Sequence, residues 1–130
     1  MRKVIQTSDA PAAGGHYSQG IVAKSGSLVF TAGQLGFDPQ TGDFVEGGVR
    51  EQTRQAMENI KAILEAAGSG MDRIVKTTVF LKDINDFAAM NEVYATFFEK
   101  DPPARSAIQA GALPRDALVE IDAIALTDDE

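Results

Sequence analysis

The segment from Ala117 to Leu126 limits what this chain can fold into more than any other. Leu118, Ile124 and Leu126 alternate with Val119, Ile121, Ala123 and Ala125, so a strand here carries apolar side chains on both faces. Strands patterned that way are ordinarily buried on both sides. In a chain of 130 residues, helices can supply one cover. The other cover calls for a second subunit.

The remaining pattern supplies the helices. From about Val49 the apolar period becomes helical. Thr53, Ala56, Met57, Ile60, Ile63, Leu64 and Ala67 form one stripe, and Gly68 suits the left-handed cap that ends it. A second helix follows Asp83 or Asn85 as N-cap, with Phe87, Met90, Tyr94 and Phe97 as its stripe, and Pro102-Pro103 closes the segment. Ile74 to Leu81 is β-branched and reads as a buried strand. Ile21 to Ser25 and Leu28 to Ala32 read as a hairpin about Ser25-Gly26-Ser27, and Arg105 to Ala110 and Ala117 to Leu126 are the last two strands. With room for a short strand at Val4 to Thr7, the order is ββαβαββ. Right-handed crossovers put both helices on one face of one mixed sheet, which gives a single α+β two-layer domain over 1–130.

Composition narrows the function. Nineteen acidic against twelve basic residues give a net charge of −7, and the basic ones are dispersed. Nucleic-acid binding needs clustered Lys and Arg to replace counterions. Arg50, Arg54 and Lys61 instead share a helix with Glu51, Glu58 and Glu65, as a solvated face with i,i+3 and i,i+4 pairs would. The terminal Asp128-Asp129-Glu130 reads as a solvated tail. No apolar run reaches the roughly 18 residues of a membrane span, and Met1 to Gln6 opens no secretory block. There is no cysteine, hence no disulfide or thiol nucleophile, and a cytoplasmic location is the default expectation. The single histidine, His16, builds neither a triad nor a zinc site and reads as a loop residue; Gly14-Gly15 and Gly33 read as turn glycines.

Two charges stand inside otherwise apolar segments: Arg105 in Pro102-Pro103-Ala104-Arg105-Ser106-Ala107-Ile108, and Glu120 in Leu118-Val119-Glu120-Ile121. Buried charges are paired, solvated or used. A guanidinium fork matches a carboxylate, and a glutamate can hold or activate water. The pair suits either a structural ion pair or a small site for an anion. If the last two strands form a hairpin, 105 opposite 120 is one register available to them.

These segments resemble the RidA/YjgF family of reactive intermediate deaminases. The likeness rests on Pro103-Ala104-Arg105-Ser106, Gly111, Leu113 and Val119-Glu120-Ile121. It extends to Gly15-His16-Tyr17-Ser18-Gln19-Gly20, Phe30-Thr31-Ala32-Gly33-Gln34, Gln55 to Gly68, Ile74 to Phe80, and Asn85-Asp86-Phe87 through Asn91. In order, they cover about Ala10 to Leu126. The resemblance implies a chorismate-mutase-like fold, a homotrimer with clefts between neighbours, and hydrolysis of 2-imino acids to 2-oxo acids and ammonia. It makes Arg105 the grip on the substrate carboxylate and Glu120 the residue beside the hydrolytic water. It also places Tyr17, Ala32, Gly33, Asn91 and Ala107 around the ligand. An imine is already electrophilic, so the reaction calls for no metal or cofactor, only an anchor, a placed water and a proton shuttle.

Three positions depart from the family pattern. Ala32 stands where serine is frequent, Ala107 where cysteine is frequent, and His16 where proline is frequent. The lost hydroxyl removes one hydrogen bond of about 0.5–1.5 kcal/mol. Two other readings compete: a non-catalytic trimer that binds small carboxylates, and a ribonuclease or translation inhibitor. Glutamate beside arginine favours the enzyme over the first, and the acidic balance disfavours the second.

Overall fold

The computed structural model describes residues 2–128. The elements run β1 (Arg2–Ile5), β2 (Gly20–Ala23), β3 (Ser27–Phe30), α1 (Val49–Ala66), β4 (Ile74–Leu81), α2 (Phe87–Ala95), β5 (Ala104–Gln109) and β6 (Val119–Thr127). The first strand sits two residues earlier than expected. Of the acidic tail, Asp128 lies beside Arg73 at 3.1 Å; Asp129 and Glu130 fall outside the described residues.

Helix α1 starts where Glu51 reaches back and accepts the Gly48 N–H at 2.8 Å, satisfying a donor that the helix start leaves free. That bond holds the Glu51 carboxyl below its ordinary range. At the other end Gly68 has φ +76°. Its N–H reaches Glu65 O at 3.1 Å and that of Ser69 reaches Leu64 O at 2.8 Å. Together these two bonds close the helix. The buried face is Val49, Gln52, Thr53, Ala56, Met57, Ile60 and Leu64; Ile63 is half-buried and Ala67 exposed. Met57, Ile60 and Leu64 each contribute about 1.5–3 kcal/mol through burial. In α2, Met90, Val93 and Tyr94 are buried, with Phe98 just beyond the helix.

The sheet differs from the expected pairing in two places. Its order is β3-β6-β4-β5, and β1 with β2 forms a separate antiparallel ribbon. Ser25 (φ 51°) and Gly26 (φ 87°) do turn the chain, yet β2 pairs with β1 whereas β3 pairs with β6. The last two strands are likewise not neighbours. Strand β5 lies parallel to β4, with Arg105 opposite Thr77, and β6 lies antiparallel on the other side of β4, with Glu120 opposite Phe80. The α2 crossover from β4 makes β5 parallel to it, which leaves β6 to fill the slot between β3 and β4. The α1 surface pairs are also different. Arg50 bonds Glu92 of α2 at 2.6 Å, and none of the ion pairs among the described residues lies within one helix.

Both helices cover one face. Thr77, Val79 and Leu81 of β4 and Val119, Ile121, Ala123 and Ala125 of β6 are buried there. The opposite face carries Phe80, Glu120, Asp122 and Ile124, and beside them Leu28, Phe30 and Ile108. The last three are 48%, 66% and 49% exposed, so this face leaves large apolar side chains open within one chain.

Candidate active site

Arg105 projects from β5 to the helix-covered side, because its register partner Thr77 is buried there and bonds the Tyr94 hydroxyl at 2.7 Å. The guanidinium lies 4.8 Å from the Tyr94 ring, 5.1 Å from Phe87 and 5.7 Å from Tyr17. Each such contact is worth about 0.5–2 kcal/mol, more as water is excluded. One amino group donates to Asn91 Oδ1 at 2.6 Å. Among the described residues, no carboxylate pairs with Arg105. Desolvation lowers its pKa, while Tyr94 and Tyr17 oppose the shift; the side chain remains a cation. Burial also pushes the Tyr94 hydroxyl up to about 12.

The surroundings of Arg105 follow from local sequence. Phe87, Asn91 and Tyr94 are spaced i, i+4, i+7 and so share one face of α2. Loop 14–18 is tied to the strand entry: Ser18 N–H reaches Pro103 O at 3.1 Å, and its hydroxyl bonds Pro102 O. Gly14 N–H donates to the Tyr17 hydroxyl at 3.2 Å. His16, a loop residue as expected, donates through Nε2 to Phe98 O at 2.9 Å.

Glu120 belongs to a different cluster. Residues 31–34 continue β3 along β6, with Thr31 N–H on Ala123 O at 2.9 Å and Gln34 N–H on Ile121 O at 2.7 Å. Three steps on one side match two on the other, so Ala32 and Gly33 form a bulge opposite Asp122. Neither of their N–H groups donates within the described residues. Glu120 lies close over Gly33: a Cβ there would stand 2.1 Å from Glu120 Oε2 and would displace the carboxylate from its present place. The bulge and the carboxylate thus meet on the open face.

The expected residues therefore fall into two sets. Tyr17, Asn91 and Arg105 come together; Ala32, Gly33 and Glu120 come together. Ala107 points to the helix side with Arg105 and packs on the core. The arginine and glutamate form no ion pair, because β4 separates their strands and they face opposite ways. A cavity of about 790 Å³ under loop 4–19 has Tyr17 and Gly15 in its wall, but neither Arg105 nor Glu120. Two features escaped the sequence reading. Phe87 and Tyr94 looked like core stripe only, and the packing of the guanidinium against three rings had no counterpart in the pattern. The 87–91–94 spacing was the available signal.

A family model described as Endoribonuclease L-PSP matches residues 7–127. The chain belongs to the RidA/YjgF family. Relatives of this RidA/YjgF chain include a RutC family protein of Pyrococcus horikoshii, 54% identical and covering 96% of this chain and 98% of that protein. The rat 2-iminobutanoate/2-iminopropanoate deaminase is 49% identical, over 97% of this chain and 90% of its own length. The crystal structure of Escherichia coli TdcF with bound serine matches with TM-score 0.75 at 46% identity, covering 97% of this chain and 99% of that one. The α+β fold, with both helices on one sheet face, is that of RidA structures.

Proposed function

We propose that this RidA/YjgF chain is a deaminase-like hydrolase of 2-imino acids, releasing 2-oxo acids and ammonia. The observation that carries the reading is Arg105: half-buried, held by Asn91 and three aromatic rings, and without an acidic partner among the described residues. A desolvated cation so arranged suits an incoming carboxylate. The names of relatives at 49% identity point the same way.

In the proposed mechanism the fork of Arg105 grips the substrate carboxylate, with Tyr17, Asn91 and Ala107 around it. The Ala32 and Gly33 N–H groups and Glu120 come from the next subunit of a homotrimer, whose contacts cover the face bearing Leu28, Phe30 and Ile108. Glu120 takes a proton from water as its oxygen bonds to the C=N carbon. It then returns that proton to the nitrogen; as the C–N bond breaks and C=O forms, it takes the hydroxyl proton and passes it to the departing ammonia. An iminium plus water thus gives an oxo acid plus ammonium, with no other reactant.

The ribonuclease reading has weaker support, since Arg50, Arg73, Lys82 and Arg115 are each matched with a carboxylate in a chain of net charge −7. The test is ammonia release from 2-iminobutanoate generated in place by an amino-acid oxidase. Acceleration by the purified protein, lost in Arg105→Ala, is expected. No acceleration, with 2-oxobutyrate still bound, would establish a carboxylate-binding protein instead.

A further inference from the structure

Helix α1 carries three amides at positions 52, 55 and 59; the first and last bond backbone outside the helix, and the middle one bonds the last. Gln52, only 7% exposed, accepts the Leu118 N–H through Oε1 at 3.0 Å. Asn59 donates through Nδ2 to Leu35 O at 3.2 Å and Phe37 O at 3.0 Å. Gln55 donates to Asn59 Oδ1 at 2.9 Å and so orients that amide. Gly36 lies flat on this row, since a Cβ there would fall 2.7 Å from the Gln52 Cα.

The two backbone segments held this way are the two that build the Gly33–Glu120 contact. Leu118 stands two residues before Glu120, and its carbonyl is fixed from the other side by Lys82 N–H at 3.0 Å. Leu35 to Phe37 follow directly on the bulge at Ala32 and Gly33, and Gln34 exchanges both backbone bonds with Ile121. A buried apolar side chain would fill the space of Gln52 as well. It would not set where Leu118 sits along the helix, because dispersion contacts are non-directional whereas a hydrogen bond fixes register.

We infer that Gln52 and Asn59, with Gln55 behind them, are positioning residues that set Glu120 against the free N–H groups of the Ala32–Gly33 bulge. The inference rests on the proposed role of Glu120 as the water-holding group. Loss of this amide rail should slow turnover and leave the Arg105 half of the site intact.

The experiment compares Gln52→Met and Asn59→Leu with Ile60→Val, a core change on the same helix that removes no hydrogen bond to either segment. Each is measured for kcat with 2-iminobutanoate, for 2-oxobutyrate affinity by titration, and for Tm, with Glu120→Gln run alongside. The rail variants are expected to lose roughly ten- to hundredfold in kcat, to keep oxo-acid affinity within about twofold, and to show lower kcat than Ile60→Val at matched Tm. Gln55→Met should fall between them and wild type. Equal kcat for rail and core variants of equal Tm would make the amides structural only and overturn the inference. Wild-type kcat in Gln52→Met and Asn59→Leu beside an inactive Glu120→Gln would overturn the rail alone. Full turnover by Glu120→Gln would overturn the glutamate's role and the rail with it.

Discussion

Arg105 and Glu120 stand on opposite faces of one sheet, with β4 between their strands. Their register partners on β4, Thr77 and Phe80, are three residues apart, an odd step that reverses the side-chain direction. Two strand spacings and three residue rises put their Cα atoms on the order of 13–14 Å apart. A small imino acid cannot touch both within one chain.

The first prediction follows from that separation. If each cleft of a trimer takes Arg105 from one subunit and Glu120 from the next, two inactive variants can repair each other. Equal amounts of Arg105→Ala and Glu120→Gln, unfolded and reassembled together, should give about a quarter of the clefts intact in a closed ring. Recovery of about that fraction of wild-type rate is expected. No recovery from well-formed mixed trimers would mean that one chain supplies both groups.

Arg105→Lys keeps the charge but not the fork or the flat stacking surface. It should weaken 2-oxobutyrate binding at least about tenfold and change Tm little. Arg105→Ala also removes the cation held over the Phe87 and Tyr94 rings, so it should additionally cost about 1–2 kcal/mol of stability. Titration calorimetry and thermal melts separate the two effects. Unchanged oxo-acid affinity in both variants would remove Arg105 from the site.

Glu120→Gln keeps a hydrogen-bond acceptor beside Gly33 but cannot carry a proton. The expected result is an unchanged melt, oxo-acid binding within about threefold of wild type, and a loss of turnover of about 10²–10⁴. Wild-type turnover would leave water attack to the backbone groups alone.

The buried Thr77–Tyr94 bond offers a stability test independent of chemistry. Tyr94→Phe strands the Thr77 hydroxyl and should cost about 1–3 kcal/mol, whereas Tyr94→Phe with Thr77→Val should recover most of it. Because Tyr94 in the folded chain is pushed up to about 12 from 10.0, the unfolded chain loses this proton first as pH rises. Stability from this group is therefore complete below pH 10 and falls as pH rises toward 12. Denaturant melts of wild type and Tyr94→Phe across that range should show the steeper decline in wild type.

Local pattern was sufficient for the elements themselves. The 3.6-residue stripe from Thr53, the cap at Gly68 and the β-branched run from Ile74 to Leu81 depend on near neighbours, so they are written in the chain. The apolar alternation on β6 is local in the same way, and the helices cover the face bearing Val119, Ile121, Ala123 and Ala125. The residue types of the candidate site were legible too, as charges set in apolar segments that resemble a family. Strand order was not. Nothing local to Arg105–Ala110 says that it joins β4 in parallel rather than β6 as a hairpin, because that choice is made by the right-handed α2 crossover and by β6 filling the gap beside β3. The turn at Ser25-Gly26 likewise reverses the chain without deciding which strand each arm will pair. Tertiary structure alone sent Arg105 and Glu120 to opposite faces and closed Phe87, Tyr94 and Tyr17 around the guanidinium. It also laid Gly33 on Glu120, since contacts between residues distant in sequence depend on how whole elements pack.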